Sequence, residues 1–274
     1  MSDKRFGLIG KKLDYSRSPE IHSHIARVMD LNLSYELLEV ADASMLKDTL
    51  SQNFDGYNVT TPYKEAVMPL LDEIDPIAKR IGAVNTIARV GSKLVGYNTD
   101  YYGFLMTLAQ FEIDVTEAHT AVVLGSGGAA KMAVTALKDV GFSEVVVVSR
   151  NPKEIRGSFP DLQCVTYESY CSKTRTVATS KHLLVNCTPI GHMGETGKQQ
   201  LEKLPFQDIG WVVDLNYNPS DTLLLQLARN HGVKAVNGLK MLIAQAVKAE
   251  FIWNSNTLVS VDEVLKALED VYNM

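Results

Sequence analysis

The chain has 274 residues, of which 46% are hydrophobic and 22% are charged, a composition typical of one large or two ordinary globular domains. Its formal net charge of -5 and its lack of a long basic run argue against nucleic-acid binding as a main function. No apolar run approaches the roughly 18 residues that a membrane span needs, and the N-terminal segment lacks the pattern of a signal peptide. We therefore expect a cytoplasmic protein that acts on a small-molecule substrate, without membrane or nucleic-acid partners.

The three cysteines, Cys164, Cys171 and Cys187, lack the paired spacing of a zinc site or a disulfide framework. In a cytoplasmic protein they are expected to be reduced thiols. His22 and His24 are two residues apart and would diverge on a helix. We therefore predict no metal site.

Strands and helices alternate through the first hundred residues. The predicted strands cover residues 6–10, 34–40, 56–60, 83–90 and 94–98. The last two are expected to form a hairpin around Gly91. Ser18 is the predicted N-cap of a helix over residues 19–31. Another helix is predicted to begin near Lys64.

A second alternating series begins at residue 120. Its predicted strands cover residues 120–125, 143–149, 164–167, 183–187, 211–215 and 233–236. Strand–helix–strand alternation predicts a parallel sheet, and the apolar run 145–148 suits a sheet that helices cover on both faces. The predicted fold class is therefore α/β in two domains. The boundary is expected near residue 100, with residues 101–111 as a connecting helix, and the helices after Gly238 could belong to either domain.

A glycine-rich turn follows the strand at 120–124. Gly125, Gly127 and Ala130 have the GxGxxA spacing, in which two glycines allow a tight turn and a close approach to a diphosphate, and the small third residue allows helix–strand packing. The helix that begins here directs its N–H groups and its positive end at the phosphates. The position within a strand–helix–strand unit favours a dinucleotide site over a tight turn that binds nothing.

The end of the next strand indicates which dinucleotide is bound. NAD sites usually carry an acidic residue there, whereas this chain has Ser149 and Arg150, followed by Lys153. A guanidinium group suits a 2′-phosphate, so the sequence predicts NADP. The alternative is that Arg150 is a solvated surface charge.

The first hundred residues also carry polar side chains at strand ends and turns. They are Ser16, Ser18, Asn58, Thr60, Lys64, Asn85 and Asp100. Each alone has an ordinary structural explanation, such as a helix cap or a turn. Asn58 and Thr60 alternate on one strand and should point the same way. Together with a lysine whose proton a nearby carboxylate can tune, they would suit a ligand rich in hydroxyl groups.

The sequence resembles the shikimate dehydrogenase family over nearly its whole length. The matching segments are SRSPEIH (16–22), NVTTPYK (58–64), GAVNT (82–86), GYNTD (96–100), GSGGAA (125–130), NCTPIG (186–191), VVDLNYNP (212–219) and NGLKMLIAQA (237–246). The resemblance implies reversible NADPH-dependent reduction of 3-dehydroshikimate to shikimate in chorismate and aromatic amino acid biosynthesis. It also implies a substrate domain (1–100 and 239–274) and a Rossmann-like NADP-binding domain (101–238), separated by a cleft, in a monomer or homodimer.

The resemblance also implies roles for individual residues on the substrate side. The substrate carboxylate would be held by Ser16 and Ser18, with Tyr217 nearby. Lys64 and Asp100 would form the catalytic pair at the reacting carbon, and which of them carries the transferred proton is open. The residues that would bond the ring hydroxyls, or support those that do, are Asn58, Thr60, Asn85 and Gln245.

On the cofactor side, the resemblance implies three groups of contacts. The diphosphate loop would comprise Gly125, Ser126, Gly127, Gly128 and Ala129. The 2′-phosphate would be bound at Arg150, with Ser149 and Lys153 beside it. The ribose and nicotinamide would lie near Thr188, Gly238 and Met241.

Five positions depart from the family's usual residues. They are Tyr15, Tyr63, Tyr101, Glu154 and Lys240. Tyr101 adds bulk beside Asp100, and Glu154 stands where a second basic residue is frequent. Because of these two residues, the range of substrates and the selectivity for NADP over NAD are left open. The alternatives are therefore a quinate/shikimate dehydrogenase with relaxed NAD/NADP use and a non-catalytic sensor that binds NADP and a ligand.

Overall fold

The computed structural model describes residues 4–14, 16–111, 119–172, 181–191, 197–255 and 257–272. The chain forms two units, each built on its own six-stranded sheet. Unit 1 comprises Met1–Gly103 and Leu242–Met274, and unit 2 comprises Phe104–Met241. Helices accompany the strands in both units, so the α/β prediction is confirmed.

The N-terminal part of the chain supplies the sheet of unit 1. In chain order its elements are β1 (Lys4–Gly10), α1 (Ser18–Val28), β2 (Leu33–Glu39), α2 (Leu46–Leu50), β3 (Gly56–Val59), β4 (Glu73–Ile74), α3 (Pro76–Ile81), β5 (Thr86–Val90), β6 (Lys93–Tyr97) and α4 (Thr99–Leu108). The strand order is β2-β1-β3-β5-β6-β4, with β2 at one edge. Strands β1, β2 and β3 are parallel, whereas β5 is antiparallel to both β3 and β6. The ends of β1, β3 and β6 therefore share one edge of the sheet with the start of β5.

The predicted hairpin around Gly91 is confirmed, since β5 and β6 pair antiparallel and Gly91 has a φ of 62°. Two details of the first predicted helix are wrong. The N-cap of α1 is Arg17, which makes no capping side-chain bond, so Ser18 is the first helical residue. The helix ends at Val28 and not at residue 31, because Asp30 adopts a left-handed φ of 51°.

The predicted helix near Lys64 does not exist. Residues 61–67 form successive turns, and the short 3-10 helix Met68–Leu70 follows. Pro69 explains this difference, because a proline at the sixth position would clash with the preceding turn and lacks the N–H that continues an α-helix.

Two of the predicted substrate residues, which were expected within strands, lie just outside them. Asn85 immediately precedes β5, and Thr60 immediately follows β3. The two-residue strand β4 was not predicted, because it is too short to carry a periodic pattern.

Unit 2 contains a fully parallel sheet. Its elements are β7 (Thr120–Leu124), α5 (Gly128–Val140), β8 (Glu144–Val148), β9 (Gln163–Val165), α6 (Tyr167–Cys171), β10 (His182–Asn186), α7 (Lys198–Glu202), β11 (Ile209–Asp214), α8 (Leu223–Asn230) and β12 (Lys234–Asn237). The order β12-β11-β10-β7-β8-β9 reverses direction between β7 and β10. In doubly wound sheets, ligands bind beyond the carboxyl ends of the strands at such a reversal.

The strands of unit 2 agree closely with their predicted positions because their side chains are buried on both faces. Residues 121–124 and 145–148 are buried throughout. Strand β9 ends at Val165, two residues before its predicted end, because Thr166 caps α6 by accepting a hydrogen bond from the Ser169 N–H at 3.1 Å.

Two long helices, α9 (Leu239–Trp253) and α10 (Val261–Tyr272), complete the fold. Trp253 of α9 stacks on Phe6 with ring centroids 4.2 Å apart, and its Nε1 donates to Ile87 O at 2.9 Å. Gly56 is required beneath it, because a Cβ there would lie 2.4 Å from Trp253 Nε1. None of the helices in the described part of the chain is long and apolar enough to cross a membrane.

Candidate active site

Lys64 and Asp100 form an ion pair at the shared edge of the sheet in unit 1. Lys64 Nζ lies 2.6 Å from Asp100 Oδ2, and the two side chains are only 20% and 12% exposed. Asp100 is in the first turn of α4, where the positive end of a helix favours a carboxylate. The backbone of Lys64 is fixed by its carbonyl, which accepts from the Val84 N–H at 2.8 Å.

Asn85 connects the start of α4 to α9. Its Oδ1 accepts from the Thr99 N–H at 2.7 Å, and its Nδ2 donates to Thr99 Oγ1 at 3.0 Å. The same Nδ2 reaches Gln245 Oε1 at 3.4 Å. One hydrogen of Gln245 Nε2 is donated to Leu242 O at 2.8 Å, which leaves the other for a further acceptor.

Both amide hydrogens of Asn58 are used within unit 1. Its Nδ2 donates to Thr86 Oγ1 at 3.0 Å and to Asn85 O at 3.2 Å, while its Oδ1 accepts from the Tyr35 hydroxyl at 2.7 Å. Only the second lone pair of Oδ1 is left. Asn58 can therefore act toward a ligand only as a hydrogen-bond acceptor.

The two serines and Thr60 occupy the same edge. Ser16 Oγ donates to Ser18 Oγ at 3.2 Å and accepts from the Ser18 N–H at 3.3 Å. Thr60 packs by its methyl group near Gly10, where an added Cβ would lie 2.7 Å from Thr60 Cγ2. Tyr217, the remaining predicted substrate contact outside α9, belongs to unit 2.

The glycine-rich turn in unit 2 leads into a helix whose N-terminus has no side-chain cap. Gly125 has a φ of 110° and lies against the loop after β10, so that an added Cβ would be 3.1 Å from Thr188 Cγ2. Gly127 is the N-cap of α5 with no side-chain capping bond, and an added Cβ there would meet nothing within 4 Å. An uncapped helix N-terminus beside open space suits an anion.

A buried carboxylate holds Thr188 in place. Asp214 Oδ1 accepts from Asn186 Nδ2 at 2.9 Å and from Asn216 Nδ2 at 3.0 Å, and Oδ2 accepts from Thr222 Oγ1 at 2.7 Å. Asn186 Oδ1 in turn accepts from the Thr188 hydroxyl at 2.6 Å. Burial raises the pKa of Asp214 to about 6, although these hydrogen bonds lower it.

The loop after β8 carries the predicted 2′-phosphate contacts. Ser149 is buried, whereas Arg150 and Lys153 are exposed. The Glu154 carboxylate accepts a hydrogen bond from Asn151 Nδ2 at 3.1 Å, so part of its negative charge interacts with a group of the same loop. Burial raises the pKa of the nearby Tyr167 to about 12, and the positive charge of Arg150 opposes this shift.

Gly238 and Met241 follow β12. Gly238 donates its N–H to Asn216 O at 3.0 Å, and an added Cβ would lie 2.2 Å from Leu215 O. Met241 is buried. The predicted cofactor residues thus follow the carboxyl ends of β7, β8, β10 and β12, at one edge of the parallel sheet.

Residues 8–87 match a family model described as the shikimate dehydrogenase substrate binding domain. The chain is 38% identical over 254 residues to the NADP(+) shikimate dehydrogenase of Clostridium perfringens, covering 92% of each chain. It is 37% identical to the enzyme of the same name from Clostridium botulinum, covering 91% of this chain and 96% of the relative.

The chain belongs to the shikimate dehydrogenase family. Among solved structures, a chorismate mutase/shikimate 5-dehydrogenase fusion protein from Clostridium acetobutylicum is 36% identical with a TM-score of 0.84, covering 100% of both chains. The shikimate 5-dehydrogenase of Thermus thermophilus, solved in complex with NADP(H) and shikimate, is 32% identical with a TM-score of 0.76, covering 97% of this chain and 99% of the other. The resemblance inferred from the sequence motifs is confirmed.

The family's motifs contain residues of the hydrogen-bond network that sequence reasoning did not single out. Thr86 follows Asn85 in GAVNT, and Thr99 follows Asn98 in GYNTD. The hydroxyls of these two threonines lie 3.1 Å apart. Their presence in the two motifs could have revealed them. Tyr35 lies in none of the shikimate dehydrogenase motifs, so only its contact with Asn58 identifies it.

The departures from the family's usual residues lie in different environments. Tyr63 is buried in the core, where its hydroxyl donates to Val40 O at 2.5 Å. Tyr101 is half-buried in α4, and its N–H donates to Asn98 Oδ1 at 3.2 Å. Lys240 is in the first turn of α9. Tyr15 lies outside the described residues.

The described residues contain no group of three histidine, cysteine, aspartate or glutamate side chains that could hold a metal ion.

Proposed function

We propose that this chain is an NADP-dependent shikimate dehydrogenase, which interconverts 3-dehydroshikimate and shikimate in aromatic amino acid biosynthesis. The observation that carries the proposal is the Lys64–Asp100 pair, 2.6 Å apart at a sheet edge rich in hydroxyl and amide groups. The names of the relatives and the structures of related enzymes with shikimate and NADP(H) support it.

When bound, NADP supplies hydride transfer to or from the ring carbon. The oxygen on that carbon must gain a proton when the carbonyl is reduced and lose one when the alcohol is oxidised. Lys64 is placed to exchange this proton, because its ammonium gives one hydrogen to Asp100 and has two others. Asp100 keeps the ammonium oriented, and the 20% exposure of Lys64 lets solvent restore its proton.

The hydrogen-bonding groups around this pair match a ligand with several hydroxyls and a carboxylate. Asn58 offers an acceptor and Gln245 a donor, and Asn85 supports both. Thr60 is assigned to the ring hydroxyls as well. The carboxylate is assigned to Ser16 and Ser18, and Tyr217 stays a predicted substrate contact. A ring hydroxyl can both donate to Asn58 and accept from Gln245.

The cofactor is assigned to unit 2 and the substrate to unit 1, close to the predicted domains 101–238 and 1–100 with 239–274. The diphosphate would bind at residues 125–129, where the uncapped start of α5 supports an anion site. Arg150, with Ser149 and Lys153, would bind the 2′-phosphate. Thr188, Gly238 and Met241 would contact the ribose and nicotinamide.

The test is a spectrophotometric assay of the reduced nicotinamide that crosses shikimate and quinate with NADP and NAD. We expect the highest kcat/KM with shikimate and NADP. Arg150→Ala should lower kcat/KM for NADP and spare NAD, whereas Lys138→Ala, which removes an exposed charge from the far end of α5, should change neither. A preference for quinate or NAD would favour the relaxed alternative, and absence of turnover would overturn the proposal.

We further propose a cytoplasmic enzyme that is a monomer or a homodimer. The absence of a basic run supports action on a small molecule and not on nucleic acid. Light scattering of the purified chain at micromolar concentration would distinguish the two oligomeric states.

A further inference from the structure

Tyr35 lies between residues assigned to opposite ends of the substrate. It belongs to β2, where its register partner is Phe6 of β1. Its hydroxyl donates to Asn58 Oδ1 at 2.7 Å, and its ring stacks on His22 with centroids 4.1 Å apart and planes 13° apart. The side chain is therefore fixed at its ring and at its hydroxyl.

A buried hydrogen bond supports the ring of Tyr35. His22 Nδ1 lies 2.6 Å from Glu250 Oε1, and both side chains are 0% exposed. Glu250 Oε2 accepts from Asn254 Nδ2 at 2.9 Å, and Lys4 Nζ donates to Asn254 Oδ1 at 2.8 Å. Because the imidazole cannot turn without breaking this buried hydrogen bond, it forms a rigid surface for the tyrosine.

The Tyr35 hydroxyl also lies near Ser18. Burial raises the pKa of Tyr35 well above its ordinary value, the Glu250 carboxylate raises it further, and a hydrogen bond with the Ser18 side chain lowers it. The phenol stays protonated at neutral pH, so its single hydrogen remains available for Asn58.

These contacts join the assigned amide residues into one chain of hydrogen bonds. In order, the chain runs through Tyr35, Asn58, Thr86, Asn85 and Gln245. Each member donates to the next: the phenol to Asn58, the Asn58 amide to Thr86, the Thr86 hydroxyl to Asn85 and the Asn85 amide to Gln245. Tyr35 is the first donor of this chain.

We propose that Tyr35 is a positioning residue of the substrate site, which holds the amide of Asn58 with one oxygen lone pair toward the ligand. This inference rests on the proposed function. Tyr35 acts through Asn58, whose two amide hydrogens are already committed to Thr86 and Asn85. Without the phenol, Asn58 Oδ1 loses the partner that fixes its remaining lone pair.

The first test compares Tyr35→Phe with the wild type. The variant keeps the ring on His22 and loses only the hydroxyl, so the fold should survive. We expect KM for shikimate to rise roughly 3- to 30-fold, as for the loss of one hydrogen bond, while kcat and KM for NADP stay near their wild-type values. An unchanged KM for shikimate would overturn the proposal.

Tyr57→Phe is the matched control. Tyr57 lies on β3 next to Asn58, and its hydroxyl donates to Thr49 O at 3.1 Å, within the core. A phenylalanine there removes the same atom from a neighbouring buried tyrosine. KM for shikimate should not change, although the melting temperature should fall. Equal effects of the two variants on KM would assign Tyr35 a merely structural role.

A double-mutant cycle tests the route through Asn58. In the Asn58→Ala background, Tyr35→Phe should have no further effect on KM for shikimate, because the residue on which the phenol acts is gone. Additive effects would show that Tyr35 acts independently of Asn58, against the proposal.

A ligand-free measurement separates this inference from the proposed function. In ¹⁵N spectra of the unliganded protein, the side-chain NH₂ signals of Asn58 should shift in Tyr35→Phe and stay in place in Tyr57→Phe. If the wild type fails to oxidise shikimate, the proposed function fails, and the spectra still decide whether Tyr35 orients Asn58. Unshifted Asn58 signals would overturn the positioning role even in an active enzyme.

Discussion

The hydrogen bond between Lys64 and Asp100 sets the direction of the ammonium group without consuming all its hydrogens. The helix start at Thr99 places the carboxylate, and the turns after β3 place the lysine. Sequence reasoning placed the lysine at a helix start, where its charge would be unfavourable. The structure instead gives that position to the aspartate, whose charge the helix favours.

Lys64→Ala should lower kcat for shikimate oxidation by roughly two to four decades, because the proton on the reacting oxygen loses its exchange partner. Binding of NADP, assigned to unit 2, should be unchanged by isothermal titration calorimetry. Lys47→Ala, at an exposed lysine of α2, is the control and should keep full activity. Near-normal turnover of Lys64→Ala would exclude the assigned role.

Asp214 should make stability depend on pH. Its pKa is raised by burial from 3.8 to about 6, so the folded state binds its proton more tightly than the unfolded state does. The contribution of Asp214 to the free energy of unfolding is therefore greatest below pH 4 and falls as pH rises to 6. At about 1.4 kcal/mol per unit, the loss is on the order of 3 kcal/mol.

Urea unfolding of wild type and Asp214→Asn, followed between pH 4 and 7, measures this effect. The fluorescence of Trp211, which shares β11 with Asp214, reports on the same unit. The difference in unfolding free energy, wild type minus variant, should decrease through the window. A difference that is flat or rises with pH would contradict the assignment.

Among the elements, the sequence predicted best those that are buried on both faces. Strands β7, β8, β10 and β11 lie within two residues of their predicted bounds, because uninterrupted apolar runs leave little choice of structure. The helix predicted to begin near Lys64 was wrong because Pro69 prevents an α-helix from continuing through this segment. Strand β4 was not predicted because its extended conformation depends on its pairing with β6 and not on its own two residues.

The contact between Lys64 and Asp100 and the glycine turn before α5 could be expected from local sequence motifs. The site could not be predicted where distant segments meet. Tyr35 and Asn58 are 23 residues apart, and His22 and Glu250 are 228 residues apart. No local pattern in the sequence connects these pairs.

The junction between β12 and α9 should tolerate only glycine at its first position. In Gly238→Ala the new carbon would lie 2.2 Å from Leu215 O and 2.7 Å from its carbonyl carbon. Backbone atoms cannot move aside as a flexible side chain does, so we expect a loss of roughly 1–3 kcal/mol or more in unfolding free energy.

Gly157→Ala provides the comparison, because an added Cβ there would meet nothing within 4 Å. It should change the stability by less than about 0.5 kcal/mol. Urea unfolding monitored by Trp211 measures both variants, and equal stabilities would show that the β12–α9 junction can open to admit a methyl group.

At the scale of the whole molecule, each unit contains one of the two tryptophans. Trp211 lies in unit 2 and Trp253 in unit 1. Each unit has its own sheet and its own hydrophobic core. The sequence showed α/β alternation in both halves but no linker between them, so these units could not be delimited by composition.

NADP at about 100 times its Kd should raise the unfolding free energy of unit 2 by about 2.7 kcal/mol. The Trp253→Phe variant keeps only Trp211, so its fluorescence reports on unit 2, and NADP should move its urea transition to a higher urea concentration. The Trp211→Phe variant keeps only Trp253, which reports on unit 1, and NADP should leave its urea transition in place. Equal shifts in both variants would show a single cooperative unit.

The serial hydrogen bonding from Tyr35 to Gln245 also bears on how such a site can evolve. Each member fixes the donor direction of the next, so a substitution that reverses one direction is disfavoured until its neighbours change as well. Neutral drift is then confined to exchanges that keep the donor, such as serine for Thr86. A shift in ligand preference through these positions would require coupled substitutions, and the order in which they occur would decide which intermediates remain functional.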